Sequence, residues 1–207
     1  MLESNKFYLN EIEKIVFIGY SKVFDKLIKI NDRNKLSTAI ITSKAQSKLI
    51  TGLKFKTFDR LDNEFKKYVT ENFLINKTLF ISLGSRFIFS KSIIKFLMNN
   101  LVNFHASRLP YDSGGGGYTW RILREDRIDN QLVHLVDEGI DTGPIIFYKN
   151  SLYPRSCLIP IDFENYRLDK FIKFYKEFIS KIINKHKFEL KTQINYIGRY
   201  NPRISSL

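Results

Sequence analysis

The chain has 207 residues, 43% of them apolar and 14% aromatic, which is enough to bury a substantial core and excludes a disordered or collagen-like protein. A formal charge of +13 would suit a polyanionic partner, but the lysines are scattered rather than gathered in a stripe, so solvated lysine faces are the simpler account. Cys157 is the single cysteine, so no intrachain disulfide and no cysteine-held zinc can form, and no apolar run approaches the ~20 residues of a spanning helix. These features predict a cytoplasmic protein that does not enter a membrane.

The first strong element runs from Lys14 to Tyr20. Ile15-Val16-Phe17-Ile18 is continuously apolar, as in a strand buried on both faces. Gly19-Tyr20-Ser21 ends it, and Val23, Phe24, Leu27 and Ile30 follow at helical spacing. Thr38–Thr42 reads as a second strand, Glu64–Phe73 as a weaker helix and Leu79–Leu83 as a third strand. After a loop, Gly84 to Phe89, Ser90 stands as N-cap of a helix that buries Ile93, Ile94 and Leu97. Leu101–Phe104 is a fourth strand. Strands that alternate with helices imply a mostly parallel sheet covered on both faces, with its site beyond the carboxyl ends of the strands.

Pro110 and the run Gly114-Gly115-Gly116-Gly117 interrupt regular structure before a helix from Tyr118 to Arg124. The glycines are either a flexible connection or a loop stripped of side chains for close approach; they lack dinucleotide-binding spacing. Gln131–Val136 and Pro144–Tyr148 read as strands flanking a loop at Asp141, and Leu168 to Ile183 carries a helical apolar stripe that reads as core packing. Two domain segments are expected: 1–190 as the catalytic unit and 191–207 as a short C-terminal extension.

Asn103 and His105, two apart on one strand, project to the same face while Phe104 turns to the other. Asp141 follows 36 positions after the histidine. Taken alone, His105 divides evenly between a site and a satisfied surface role, Asn103 could bond neighbouring backbone, and Asp141 before Thr-Gly-Pro suits a turn. His134, inside an apolar strand, reads as a hydrogen-bonded core histidine, and His186 as surface.

Three ordered segments, Gly84-Ser85-Arg86-Phe87-Ile88-Phe89, Asn103-Phe104-His105-Ala106-Ser107-Arg108-Leu109-Pro110 and Asp137-Glu138-Gly139-Ile140-Asp141-Thr142-Gly143-Pro144-Ile145-Ile146, closely resemble the formyltransferase family that uses 10-formyltetrahydrofolate. The resemblance is strong from Leu79 to Tyr148 and faint elsewhere. It implies a Rossmann-like α/β fold, a catalytic set of Asn103, His105 and Asp141, and no metal. It also implies a folate pocket formed by Arg86, Phe87 and Ile88 with the backbone of Asp137, Glu138, Gly139 and Ile140. In that reading Asn103 and a protonated or polarised His105 would face a tetrahedral oxyanion, and Asp141 would favour the imidazolium.

Within the family, the glycine run with Tyr118 and Trp120 beyond it resembles the nucleotide-sugar N-formyltransferases, whose acceptor is an amino deoxysugar on a nucleoside diphosphate, used in polysaccharide biosynthesis. Acceptor contacts would then come from Arg108, Tyr111, Gly115, Tyr118 and Trp120, with Arg199 and Arg203 near a diphosphate. The turn at Gly19-Tyr20-Ser21 lacks the phosphate-binding loop of the glycinamide ribonucleotide enzyme, and a methionyl-tRNA formyltransferase would carry a second, RNA-docking domain. Those two enzymes and a non-catalytic folate-binding relative are the alternatives. A homodimer is expected, and nucleic acid is the less favoured partner.

Overall fold

The computed structural model describes residues 5–114, 117–194 and 199–201. In chain order its elements are β1 (Lys6–Phe7), β2 (Lys14–Gly19), α1 (Phe24–Arg33), β3 (Ser37–Ser43), α2 (Lys44–Ser47), β4 (Lys56–Phe58) and α3 (Asn63–Asn72), then β5 (Thr78–Leu83), α4 (Lys91–Phe96), β6 (Leu101–His105), β7 (Asp112–Gly114) and α5 (Gly117–Leu123). They continue with β8 (Ile128–Leu135), β9 (Ile145–Leu152), α6 (Pro160–Ile183), β10 (Phe188–Glu189) and β11 (Arg199–Asn201). Seven strands form one sheet in the order β4-β3-β2-β5-β6-β8-β9. From β4 to β6 the pairings are parallel; β8 and β9 are antiparallel. The expected mostly parallel α/β sheet is therefore present.

Alternation along the strands feeds two cores. Ile15, Phe17, Leu79, Ile81, Val102 and Phe104 pack with Phe24 and Leu27 of α1 and with Phe171, Phe174, Tyr175 and Phe178 of α6. Val16, Ile18, Phe80 and Leu101 point the other way, onto Phe65 and Val69 of α3 and onto Ile93 and Leu97. Both faces of β2 and β5 are thus buried, which is why these strands read as unbroken apolar runs. Each fully buried phenylalanine contributes about 1.5–3 kcal/mol relative to exposure. Phe104, whose ring lies 5.5–6.0 Å from those of Phe171, Phe174, Tyr175 and Phe178, anchors β6 against α6 and so fixes where Asn103 and His105 emerge.

One local expectation holds with a different bond, and one helix is longer than expected. Ser90 holds the N-cap position of α4, but its side chain makes no capping bond; its carbonyl accepts from the Ile93 and Ile94 amides instead. The last helix starts two turns before the apolar stripe that announced it, at Pro160. Proline is pre-organised for the first helical position, and the Asp162 carboxylate accepts from the Leu158 and Ile159 amides at 2.9 and 3.1 Å. Those bonds hold the Asp162 carboxyl below the usual carboxylate range. The added turns carry Glu164 and Arg167.

Candidate active site

Asn103 and His105 stand on the half-buried face of β6 while Val102 and Phe104 are buried, as the two-residue period requires. The antiparallel register places Asn103 directly opposite His134 on β8. His134 is 3% exposed. Its Nδ1 lies 2.7 Å from the Leu135 carbonyl oxygen, so that nitrogen carries the hydrogen and Nε2 is left to accept from Asn103 Nδ2 at 3.0 Å. His134 is thus a hydrogen-bonded buried histidine, and it also sets the orientation of the Asn103 amide.

The loop after β8 brings Asp141 to the same place. Asp137 Oδ1 organises that loop by accepting from the Gly139 amide at 3.2 Å and the Thr142 hydroxyl at 2.7 Å. Asp141 itself is left-handed, with φ 58°, a conformation that aspartate tolerates better than most residues. A side chain at Gly143 would run into the Leu135 carbonyl oxygen, so only glycine lets the loop close this tightly on β8. From the other side Gln193 Nε2 donates to the carbonyls of Asp141 and Gly143 at 2.9 and 2.6 Å. Residues just beyond 190 thus brace the site; nothing in the sequence marked Gln193, because its partners are main-chain atoms 50 and 52 residues away.

The result is one polar constellation. Asp141 Oδ1 lies 3.5 Å from Asn103 Nδ2, 3.6 Å from His105 Nδ1 and 3.8 Å from His134 Nε2. His105 Nε2 is buried and has no hydrogen-bond partner among the described residues. Burial pushes the His105 imidazolium down to about 4, and although the Asp141 charge works in the opposite direction, the nearby His134, Arg167 and Arg121 add to the lowering. Asp141 favours the imidazolium, as expected, but desolvation outweighs it, so of the protonated and the polarised ring it is the neutral, polarised one that burial favours. The ligand atoms of His105, His134 and Asp141 all lie within 4.8 Å of one another, a spacing that could hold a metal ion; a metal there would have to displace the Asn103 hydrogen from His134 Nε2.

This constellation forms one wall of a cleft of about 780 Å³, within the usual range for a small-molecule site. Phe87, Ile88, Asp137, Glu138, Gly139 and Ile140 line it, as does Tyr118. Ile88 and Ile140 are 86% and 63% exposed, so these two apolar side chains are rim rather than core. Phe87 packs partly against the second core.

Other sequence-predicted residues do not reach the cleft. Arg86 is exposed and absent from its lining. Arg108 pairs with Asp126 at 3.3 Å and Asp112 at 3.7 Å and covers the Tyr111 ring at 5.6 Å; Trp120 lies under the Arg124 guanidinium at 4.9 Å. Arg108, Tyr111 and Trp120 all lie outside the lining. Gly115 and Arg203 lie outside the described residues, and Arg199 is seen pairing through its backbone with Asp112. In their place the cleft is closed by Tyr20, Ser21 and Lys22 after β2 and by Glu164, Arg167 and Leu168 of α6.

A mostly parallel sheet with an antiparallel pair of strands at one edge is the Rossmann-like fold of formyltransferases, and solved structures bear the fold out. The formyltransferase PseJ from Anoxybacillus kamchatkensis aligns over 91% of this chain and 85% of its own, with TM-score 0.66 and 22% identity. A 4-N formyltransferase from Francisella tularensis aligns over 92% and 76%, with TM-score 0.70 and 18% identity; a methionyl-tRNA formyltransferase from Clostridium thermocellum aligns over 94% and 74%, with TM-score 0.61 and 21% identity. No family model matches the chain. Among curated proteins, the methionyl-tRNA formyltransferase of Thermodesulfovibrio yellowstonii is 31% identical over 88 residues, which is 42% of this chain and 27% of that protein. The chain thus matches only about a quarter of that relative's length. The resemblance to the formyltransferase family is borne out by both kinds of comparison.

Proposed function

We propose that the protein transfers a formyl group from 10-formyltetrahydrofolate to an amine, and that the acceptor is an amino deoxysugar carried on a nucleoside diphosphate. The observation that carries the transfer chemistry is a half-buried His105 whose buried Nε2 has no partner among the described residues, standing beside an amide and a carboxylate in one cleft. As the acceptor nitrogen adds to the formyl carbon, His105 Nε2 takes its proton and Asp141, next to Nδ1, stabilises the imidazolium that forms. The carbonyl oxygen becomes an oxyanion, to which Asn103 Nδ2 donates; its bond to His134 fixes the amide, while the 3.5 Å approach to Asp141 is at the limit of a hydrogen bond and leaves a hydrogen for the oxyanion. When the bond between the formyl carbon and N10 breaks, His105 returns the proton to N10. Atoms balance: one C–N bond forms, one breaks, and the proton moves from acceptor to tetrahydrofolate.

The donor fits the rim described above, with Ile88, Ile140 and Phe87 against the pterin and the backbone from Asp137 to Ile140 at its polar edge. The sugar acceptor is supported by fold neighbours: PseJ is described in complex with UDP-4,6-dideoxy-4-formamido-L-AltNAc and tetrahydrofolate. We further propose that residues 1–190 form the body of one catalytic unit, to which Gln193 of the following segment is joined by its bonds to the Asp141 loop. The curated sequence matches favour methionyl-tRNA as the competing acceptor.

The test is to incubate the purified chain with 10-formyltetrahydrofolate and nucleotide-linked 3- or 4-amino deoxysugars and to detect the formamide by mass spectrometry. An amide product with a sugar supports the proposal. Formylation of methionyl-tRNA alone would replace the acceptor, and consumption of the donor by water alone would end the transferase reading.

A further inference from the structure

At one end of the cleft α6 presents Glu164, Arg167 and Leu168, which share a helix face by their spacing of three and four. Glu164 has a partner, since its Oε2 holds Lys22 Nζ at 3.0 Å, a bond that also holds the Lys22 ammonium above its ordinary range. Arg167 is different. Its side chain is only 14% exposed, its Nε is buried without a hydrogen-bond partner, and its guanidinium makes no hydrogen bond among the described residues. The nearest carboxylate oxygen, Asp129 Oδ1, is 4.0 Å away, too far for a hydrogen bond. Asp129 is already satisfied: the Tyr153 hydroxyl donates to Oδ1 at 2.8 Å, and Gln131 Nε2 and the Ser151 hydroxyl donate to Oδ2 at 3.1 and 3.2 Å.

A guanidinium carries five donors in a fixed fork and never deprotonates in a protein. With the Phe171 ring 5.9 Å away, Asp129 at 4.0 Å offsets the charge of Arg167, but that carboxylate takes its hydrogen bonds from Tyr153, Gln131 and Ser151, so the donors of the enclosed fork stay unmet, which is costly unless an anionic acceptor arrives. Asp129 is close enough to hold the side chain in place without occupying its fork.

We propose that Arg167 binds an anionic group of the acceptor, a phosphoryl or carboxylate oxygen, at the α6 end of the cleft, and so selects acceptors that carry such a group within reach of the reacting amine. The inference rests on the transferase reading for the word acceptor, but the anion site stands on its own geometry. Lys22, 52% exposed and tied to Glu164, is a second cation at that end. Bidentate recognition of this kind belongs to arginine and is poorly reproduced by lysine.

The test is calorimetric titration of the full chain with UDP, with inorganic pyrophosphate and with succinate, repeated on Arg167→Lys and Arg167→Gln. Binding of UDP and pyrophosphate that weakens at least tenfold in Arg167→Gln and less in Arg167→Lys supports a phosphoryl site; succinate binding with the same dependence supports a carboxylate site. The proposal is overturned if none of the three binds the unsubstituted protein, or if all bind Arg167→Gln equally well. In turnover, Arg167→Gln should raise KM for the acceptor while KM for 10-formyltetrahydrofolate stays unchanged, a split that a merely structural arginine would not give. Arginine-dependent UDP binding in a protein that never consumes formyl-folate would keep the anion site and discard the transferase.

Discussion

The two ends of the cleft are built differently. The rim proposed for the donor is made of two short stretches, Phe87-Ile88 and Asp137 to Ile140, each lying just past the end of one strand, so that consecutive residues share one task. The end proposed for the acceptor gathers Lys22, Tyr118, Glu164 and Arg167 from three separate regions of the chain. A site formed by neighbours in sequence can be copied as a motif, whereas a site formed by a helix crossing back over the sheet depends on where that helix docks. Donor chemistry can therefore stay constant along a fold while the acceptor end is rebuilt.

Substitutions can break or sharpen this contrast. The largest losses belong to the chemistry common to both ends: His105→Ala should lower kcat by about 10³-fold, as expected for a positioned general base, and Asn103→Ala by about 10²–10³-fold, as for one oxyanion donor. Circular dichroism melts should change little, because both side chains sit at the cleft wall; a collapse of the melt instead would make these residues structural. His134→Phe keeps an aromatic ring but removes the nitrogen that holds the Asn103 amide, so kcat should fall about 10²-fold, the scale of a small misplacement, with both KM values nearly unchanged. Equal turnover by the variant would remove His134 from the site.

At the donor rim, Ile88→Ser should raise KM for 10-formyltetrahydrofolate about tenfold, consistent with about 1.4 kcal/mol of lost apolar burial. Stability should not move, since Ile88 is already 86% exposed. At the other end, Arg108→Ala and Trp120→Ala should leave the acceptor KM within about twofold, because neither residue lines the cleft; a large rise in KM would return the acceptor to that surface.

The smallest effect is with pH. A free histidine is half protonated near pH 6.5, yet kcat/KM should stay level between pH 8 and 6, because burial lowers the protonation of His105. The folded state binds this proton less readily than the unfolded one, so the contribution to stability is complete above about pH 6.5 and declines as pH falls from there toward the folded value. A rate profile that bends at 6.5 would mean that His105 is not desolvated.

Much of the fold was legible because its signals are local. Unbroken apolar runs gave β2 and β5, helical spacing gave α1 and most of α6, and the period of two put Asn103 and His105 on one face of β6. Short pieces such as β4, α2 and the pairing of β1 with β10 escaped, since two to four residues carry no period. His134 was readable as buried and hydrogen-bonded, but its hold on Asn103 depends on strand register across 31 residues. Arg108, Tyr111 and Trp120 were chosen for chemical type alone, and the fold gave Arg108 to Asp126 and Trp120 to Arg124 instead.

The sequence by itself determined the class of sheet, the order of its strands along the chain and the presence of an amide, an imidazole and a carboxylate near strand ends, because side-chain period and turn chemistry act over a few residues. Tertiary structure decided the charge state of His105, since desolvation is a property of everything packed around the ring. It also decided which cations face the cleft, because the docking of α6 through Phe171, Phe174 and Phe178 onto Phe104 places Arg167 there, and no stretch of a few residues encodes that crossing.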